Sequence, residues 1–272
     1  MEEKVVSKQI YSGETFINNA IGYSESNPAA LSDFLFVCKM KQIDANIPNT
    51  ILHTTFENDY IITKSGTLTK TDLTQKLLPG ESVDYVIVGN QITATSGTLS
   101  NLWSMRGFKC SDNFKLAASF TLRYTTTGGQ SKLLYADFGN NPGLQLKNNV
   151  CLGATNLFYI NLPETEGDIF GASGSGWNTL KQTAITDLLI PSKVTGSILS
   201  SGSDSFSSCP NLRTVRFAEN SVFQTVNTRT FYDCPKLVNI TFPNSLTSIV
   251  RPGVMSADNF MRGNTGIKVI KI

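Results

Sequence analysis

The chain contains one histidine, His53, in 272 residues, and that scarcity removes most conventional catalytic sets at the outset. A Ser-His-Asp or Cys-His arrangement would have to be built around that single side chain. His53 stands in an apolar, Thr-rich strand candidate and reads as a strand histidine. The run His53-Thr-Thr-Phe-Glu57 lacks the second histidine and the adjacent glutamate of a zinc-protease helix. Charge is also sparse, with 16% charged residues and a net charge of +2, so nothing supplies the basic stripe that nucleic acid requires. Lys and Arg outnumber the acids in the last third, but they are scattered along the sequence. The cysteines, Cys38, Cys110, Cys151, Cys209 and Cys234, are odd in number and contain no C-x-x-C pair, which argues against a zinc site. No cofactor is implied. Neither glycine-rich stretch, 128–132 or 171–176, has the Gly-Lys-Ser/Thr that opens a helix in a phosphate-binding loop. Long apolar runs are missing too: the stretch Phe34 to Cys38 is far too short to span a bilayer, so no membrane span is expected. The acidic start Met-Glu-Glu is unlike a signal peptide.

One acidic cluster is present, Glu164, Glu166 and Asp168. Two carboxylates fixed across a cleft would suggest glycoside hydrolysis, and several oxygens around one point would suggest calcium. These three sit in a loop with no rigid element to set their separation, so a solvated acidic loop is expected. The sequon Asn239-Ile-Thr241 falls within a strand candidate and reads as chance.

What the sequence does have is a recurring apolar signature. It reads Leu157-x-x-Ile160-x-Leu162, Ile185-x-x-Leu188-x-Ile190, Leu212-x-x-Val215-x-Phe217, Leu237-x-x-Ile240-x-Phe242 and Ile267-x-x-Ile270-x-Ile272. A unit of this size cannot bury its own apolar edge, so successive copies must stack into a solenoid. A degenerate copy or a starting cap is possible at Leu133-x-x-Ala136-x-Phe138. Ahead of two strands stands Phe-x-x-Cys-Pro-x-Leu, at Phe206 to Leu212 and Phe231 to Leu237, and after two strands come Ile190-Pro-Ser-Lys-Val194 and Phe242-Pro-Asn-Ser-Leu246. In the last unit Phe260 is kept but the Cys is lost. Cys209 and Cys234 occupy one repeat position, where buried free thiols are expected. Trp177 is a candidate for the position of Phe206 and Phe231.

This order of strand, Pro turn and Phe-x-x-Cys-x-x-Leu resembles the BspA-like class of leucine-rich repeats, well over 185–272 and loosely over 157–184. The resemblance implies protein-protein or cell-surface contacts, and with no catalytic set in the sequence a non-enzymatic protein is expected.

Residues 1–130 read differently. A polar arm leads into short runs rich in β-branched and aromatic residues: Phe34 to Met40, Thr50 to Phe56, Tyr60 to Thr63, Tyr85 to Val88 and Phe120 to Thr125. The best helix candidate, Lys70 to Leu78, is short. The expectation is a mainly β protein, with an N-terminal antiparallel β-sandwich or jelly-roll-like anchoring domain over 1–130 and a leucine-rich-repeat domain over 131–272.

Alternation along each repeat strand names the outward columns. They are Tyr159, Asp187, Thr214, Asn239 and Val269 on one side, and Asn161, Leu189, Arg216, Thr241 and Lys271 on the other. The candidate binding residues are Tyr159, Asp187, Leu189, Thr214, Arg216, Asn239 and Thr241. Their partner is expected to be a protein or a cell-surface receptor, bound by a homo-oligomer or a part of a larger assembly. The leading expectation is a bacteriophage virion component, a fibre, decoration or tail-associated protein, because such proteins fold without export and keep free thiols. The alternatives are a bacterial cell-surface adhesin and, behind it, a carbohydrate-binding protein.

Overall fold

The computed structural model describes residues 28–43, 45, 50–53, 59–62, 65–75, 77, 79, 81–95, 99, 102–112, 114, 122, 131–142, 144, 146, 150–166, 179–194, 197–198, 206–226, 230–249 and 263–271. The chain divides into two compact units, Met1–Asp44 and Ala45–Ile272.

The described part of the first unit is one helix, α1 (Pro28–Gln42). A strand was expected over Phe34 to Met40, and the helix overturns it. Five consecutive apolar residues, Phe34 to Cys38, imitate a buried strand. They lie, however, inside a segment that opens with proline at the first helical position and contains Ala29, Ala30, Leu31, Lys39, Met40 and Gln42, all good helix formers. Lys39 and Lys41 in the last turn complement the helix dipole.

The second unit opens with strands β1 (Thr50–His53) and β2 (Asp59–Ile62), paired antiparallel, and β1 also lies antiparallel to β4 (Tyr85–Val88). Between them come β3 (Gly66–Leu68) and the short helix α2 (Lys70–Thr74). The helix begins in a capping box: Asp72 N–H donates to Thr69 Oγ1 at 3.2 Å, and Thr69 N–H donates to Asp72 Oδ2 at 2.7 Å. β3 pairs in parallel with β5 (Ile92–Thr95).

From β4 onward every step of the main ladder is parallel. β4, β6 (Gly107–Cys110), β7 (Tyr135–Asp137) and β8 (Tyr159–Asn161) follow one another, with Val86, Phe108, Ala136 and Ile160 in register. The repeat therefore starts much earlier than the sequence showed. Val83-x-x-Val86-x-Val88 and Met105-x-x-Phe108-x-Cys110 are two further copies, Leu133-x-x-Ala136-x-Phe138 is a third, and all nine apolar residues are buried. The expected N-terminal sandwich is not seen among the described residues. Among the described residues antiparallel pairing is confined to β1–β2 and β1–β4, and the expected division at residue 130 falls between two hydrogen-bonded parallel neighbours, β6 and β7. The run Phe120 to Thr125 lies outside the described residues except for Leu122.

A second parallel sheet of β9 (Asp187–Ile190), β11 (Thr214–Phe217), β13 (Asn239–Thr241) and β15 (Val269–Lys271) carries the downstream repeats. Each turn of the chain then crosses to a narrower parallel sheet, β10 (Ser197–Ile198), β12 (Thr225–Val226) and β14 (Ser248–Ile249). One continuous apolar core runs from Leu68 to Phe242, threaded by the inward residues of the repeats. Each fully buried Leu, Ile, Val or Phe contributes about 1.5–3 kcal/mol.

A third ladder runs along the turns. Gly153, Gln182, Ser208, Asp233 and Gly263 form one repeat column, all in the left-handed region at φ 74°, 63°, 54°, 56° and 85°. The N–H groups of Gly153, Gln182 and Ser208 donate to the carbonyls of Lys181, Ser207 and Tyr232 in the next repeat, at 3.4, 3.1 and 2.8 Å. The next position in the column explains the cysteines. Cys209 Sγ donates to Leu180 O at 3.3 Å and Cys234 Sγ to Phe206 O at 3.1 Å, each reaching the preceding repeat. In the last unit Asn264 Nδ2 makes the same bond to Phe231 O at 2.8 Å. The Phe206 and Phe231 rings stack at 5.6 Å, and Leu180 occupies their column one repeat earlier. Trp177, the expected occupant, lies outside the described residues.

Candidate functional site

The two main parallel sheets differ in exposure. β4, β6 and β7 are buried on both faces, so that Tyr85, Ile87 and Tyr135 on the outward side are as inaccessible as the core. In β9 and β13 burial alternates residue by residue, which leaves the outward side open. The outward side of β9 and β13 is therefore accessible, and Arg216 on β11 between them is exposed as well.

At the boundary sits a polar cluster that fixes the upstream sheet. Asp137 accepts from Tyr135 Oη at 2.9 Å, from Asn161 Nδ2 at 2.8 Å and from Gly139 N–H at 3.0 Å, and faces Lys109 Nζ at 3.8 Å. The Tyr135 and Tyr159 rings stack at 4.7 Å, inclined by 8°. Burial, reinforced by the Asp137 carboxylate, raises the ionisation of both phenols above its ordinary range. Tyr159 and Asn161, both outward residues by sequence, are thus engaged in holding β7 to β8.

Downstream, the outward columns are in register as the alternation requires. Asp187, Thr214, Asn239 and Val269 lie side by side, as do Leu189, Arg216, Thr241 and Lys271. Asp187, Arg216, Asn239 and Thr241 are exposed and Thr214 is half-buried; Leu189 is 51% exposed, unusual for a large apolar side chain. Asp187 Oδ2 accepts from Thr186 Oγ1 at 3.1 Å. Among the described residues, Arg216, Asn239 and Thr241 have no side-chain hydrogen bond. The structure therefore brings six of the seven candidate residues onto one sheet and leaves Tyr159 on another, since β8 and β9 share no ladder.

Sequence alternation also missed a column. Arg213 and Lys268, each directly after the first apolar position of its repeat, are exposed beside the named columns. Their backbone registers Thr186, Arg213, Val238 and Lys268, through Arg213 N–H to Thr186 O at 2.7 Å, Val238 N–H to Arg213 O at 2.9 Å and Lys268 N–H to Val238 O at 3.0 Å.

The remaining chemical candidates resolve into structural contacts. Glu164 Oε2 accepts from Ser192 Oγ at 3.2 Å and Glu166 Oε1 pairs with Lys193 Nζ at 3.2 Å, so both acids tie one repeat to the turn of the next; Asp168 lies outside the described residues. His53 belongs to β1, opposite Asp59 and Tyr85. Among the described residues no group of three His, Cys, Asp or Glu is placed to hold a metal ion, and no helix is long and apolar enough to cross a membrane. All five cysteines are free.

Stacked parallel strands, an Asn or Cys ladder at the turns and one open sheet face define a solenoid of the leucine-rich-repeat class. More closely, residues 176–252 match the family model described as BspA type leucine rich repeat region (6 copies). The chain is similar to a leucine-rich repeat protein from Bacteroides ovatus, known from its crystal structure, at 14% identity and a TM-score of 0.41. The similarity covers 76% of this chain and 52% of that one, so the chain spans about half the length of that relative. Comparison with curated proteins gives no match.

Proposed function

We propose that this is a non-enzymatic recognition protein whose working surface is the outward face of β9, β11, β13 and β15. The observation that carries the reading is the contrast between the two parallel sheets: the fold covers both faces of β4, β6 and β7 but leaves the outward side of β9 and β13 open. The open face presents Arg216, Asn239 and Thr241 with no hydrogen-bonding role among the described residues, next to an exposed Leu189. Polar groups around an accessible apolar side chain suit a protein surface.

The test places a photo-crosslinking amino acid at Leu189 or Thr241, and for comparison at Val222 or Ile249, which are exposed apolar positions away from this face. Crosslinks to one partner from the first pair only are expected. The Asp187→Ala/Arg216→Ala double variant is then expected to bind that partner at least tenfold more weakly. Equal crosslinking from both pairs, or unchanged affinity, would overturn the assignment.

The finer reading is a component of a bacteriophage virion. Four buried cysteines that remain free fit a chain that folds and assembles in a reducing compartment. Co-sedimentation with particles at fixed stoichiometry is the expected result. A free monomer that binds cells by itself would replace this reading with that of a surface adhesin.

A further inference from the structure

The charge of the chain is unevenly divided. Residues 1–178 carry 13 Lys and Arg against 16 Asp and Glu, whereas residues 179–272 carry ten against five. Along the sequence those ten cations look dispersed, but the solenoid gathers four of them. Arg213 and Arg216 stand on and just before β11, and Lys268 and Lys271 occupy the equivalent positions at β15, two strands away.

Adjacent strands are about 4.8 Å apart and three residues along a strand cover about 10 Å. The four positions therefore mark the corners of a square with sides of about 10 Å. Val238 just before β13, and Asn239 and Thr241 on it, lie between the corners, so the square holds hydrogen-bonding groups and no carboxylate. Arg213, Arg216 and Lys268 are exposed and, among the described residues, none is paired with an acid. The nearest acid in the register columns is Asp187, on β9 at the far side of Arg216. Like charges held this close repel one another across roughly one Debye length, a cost that an anionic partner relieves.

We infer that the face carrying Arg213, Arg216 and Lys268, with the β15 position of Lys271 beside them, docks an acidic peptide segment of a protein partner. This rests on the recognition reading of the same face and names the chemistry of what it recognises. Two features favour carboxylates on a polypeptide over a polyanion of nucleotides. Two of the four cations are arginines, whose planar forks match carboxylates in pairs. Beyond the square, the exposed Leu189 continues the Arg216 column and offers an apolar contact that a phosphate backbone does not use. The same alternation that places Asn239 and Thr241 between the cations provides partners for the main chain of an extended segment.

The probes are poly-L-glutamate, single-stranded DNA and heparin, titrated against the full chain at low and at physiological salt. Poly-L-glutamate is expected to bind, with an affinity that falls as salt rises. Arg213→Ala/Arg216→Ala and Lys268→Ala/Lys271→Ala are each expected to weaken it at least tenfold, while Lys181→Ala/Lys193→Ala leaves it unchanged. Circular dichroism of each variant confirms that the solenoid is intact, and the charge-preserving Arg213→Lys/Arg216→Lys variant is expected to retain salt-dependent binding. No binding of poly-L-glutamate at low salt, equal binding by all variants, or stronger binding of DNA or heparin than of poly-L-glutamate would each overturn the inference. If crosslinking from Leu189 still captures a partner that lacks an acidic segment, the recognition face stands and only the acidic-segment assignment falls.

Discussion

Asn264→Ala is the sharpest single perturbation of the repeat architecture. The Asn264 side chain makes two bonds into the preceding repeat: Oδ1 accepts from Cys234 N–H at 2.6 Å and Nδ2 donates to Phe231 O at 2.8 Å. Cys234 and Phe231 are 0% and 1% exposed, so neither backbone group can turn to water once the side chain is removed. An unpaired buried polar group costs about 1–3 kcal/mol, and the pair is expected to cost about 2–4 kcal/mol together. The loss acts locally, because repeats contact only their neighbours and β15 joins the sheet through three registered pairs to β13. Amide exchange is therefore the appropriate assay. At about 1.4 kcal/mol per tenfold, exchange at Cys234 and Lys268 should accelerate by roughly 30- to 1,000-fold, while Val86 and Phe108 stay unchanged. Asn264→Cys restores the donor to Phe231 O, as Cys209 and Cys234 do in their own repeats, but not the acceptor for Cys234 N–H. It should fall between the wild type and Asn264→Ala. Exchange within threefold of wild type in Asn264→Ala, or no difference between Ala and Cys, would refute the equivalence of Cys and Asn in this column.

Further expectations concern the backbone, the thiols and alkaline pH. Gly263 has φ 85°, and an added Cβ would lie 3.0 Å from Asp233 Cα, whereas Gly66 at φ 82° has nothing within 4 Å. Gly263→Ala should therefore lower the urea midpoint more than Gly66→Ala, whose cost is limited to about 1–2 kcal/mol for the left-handed backbone. Burial raises the thiol ionisation of Cys110, Cys151 and Cys38, with Lys41 opposing the effect at Cys38; at Cys234 the hydrogen bond with Cys209 is the larger cause and burial adds to it. Only half-buried Cys38 should react with a thiol reagent in the native protein, against all five in urea. Tyr135 is raised by burial and by Asp137, so it ionises more readily in the unfolded chain. Its contribution is complete below the ordinary phenol value near 10 and declines as pH rises above it. A stability profile from pH 8 to 12 should show this decline, and Tyr135→Phe should flatten it.

The downstream half of the fold was legible because its repeats keep strong apolar residues at all three signature positions. Upstream, Ala136 and Cys110 stand where Ile and Phe recur later, and the Phe-x-x-Cys turn is replaced, so the period faded although the backbone repeats the same parallel step. The runs in 50–95 looked like sandwich strands for a physical reason: a strand in a parallel sheet and one in an antiparallel sheet can share the same β-branched composition, and only the connection distinguishes them. At the site, alternation placed Asp187, Leu189, Thr214, Arg216, Asn239 and Thr241 on one face. It could not see that Tyr159 is stacked on Tyr135 instead, because that depends on a neighbour 24 residues away.

By itself, then, the sequence determined the period, the inward residues of the downstream strands and the buried thiols, because each repeat must bury the same apolar edge whatever its partner. The tertiary structure alone decided how far upstream the stack extends, which sheet keeps an open side, and that Arg213, Arg216 and Lys268, spread over 56 residues, share one surface. Those outcomes depend on register between distant segments, and register is fixed by hydrogen bonds and packing that no single repeat contains.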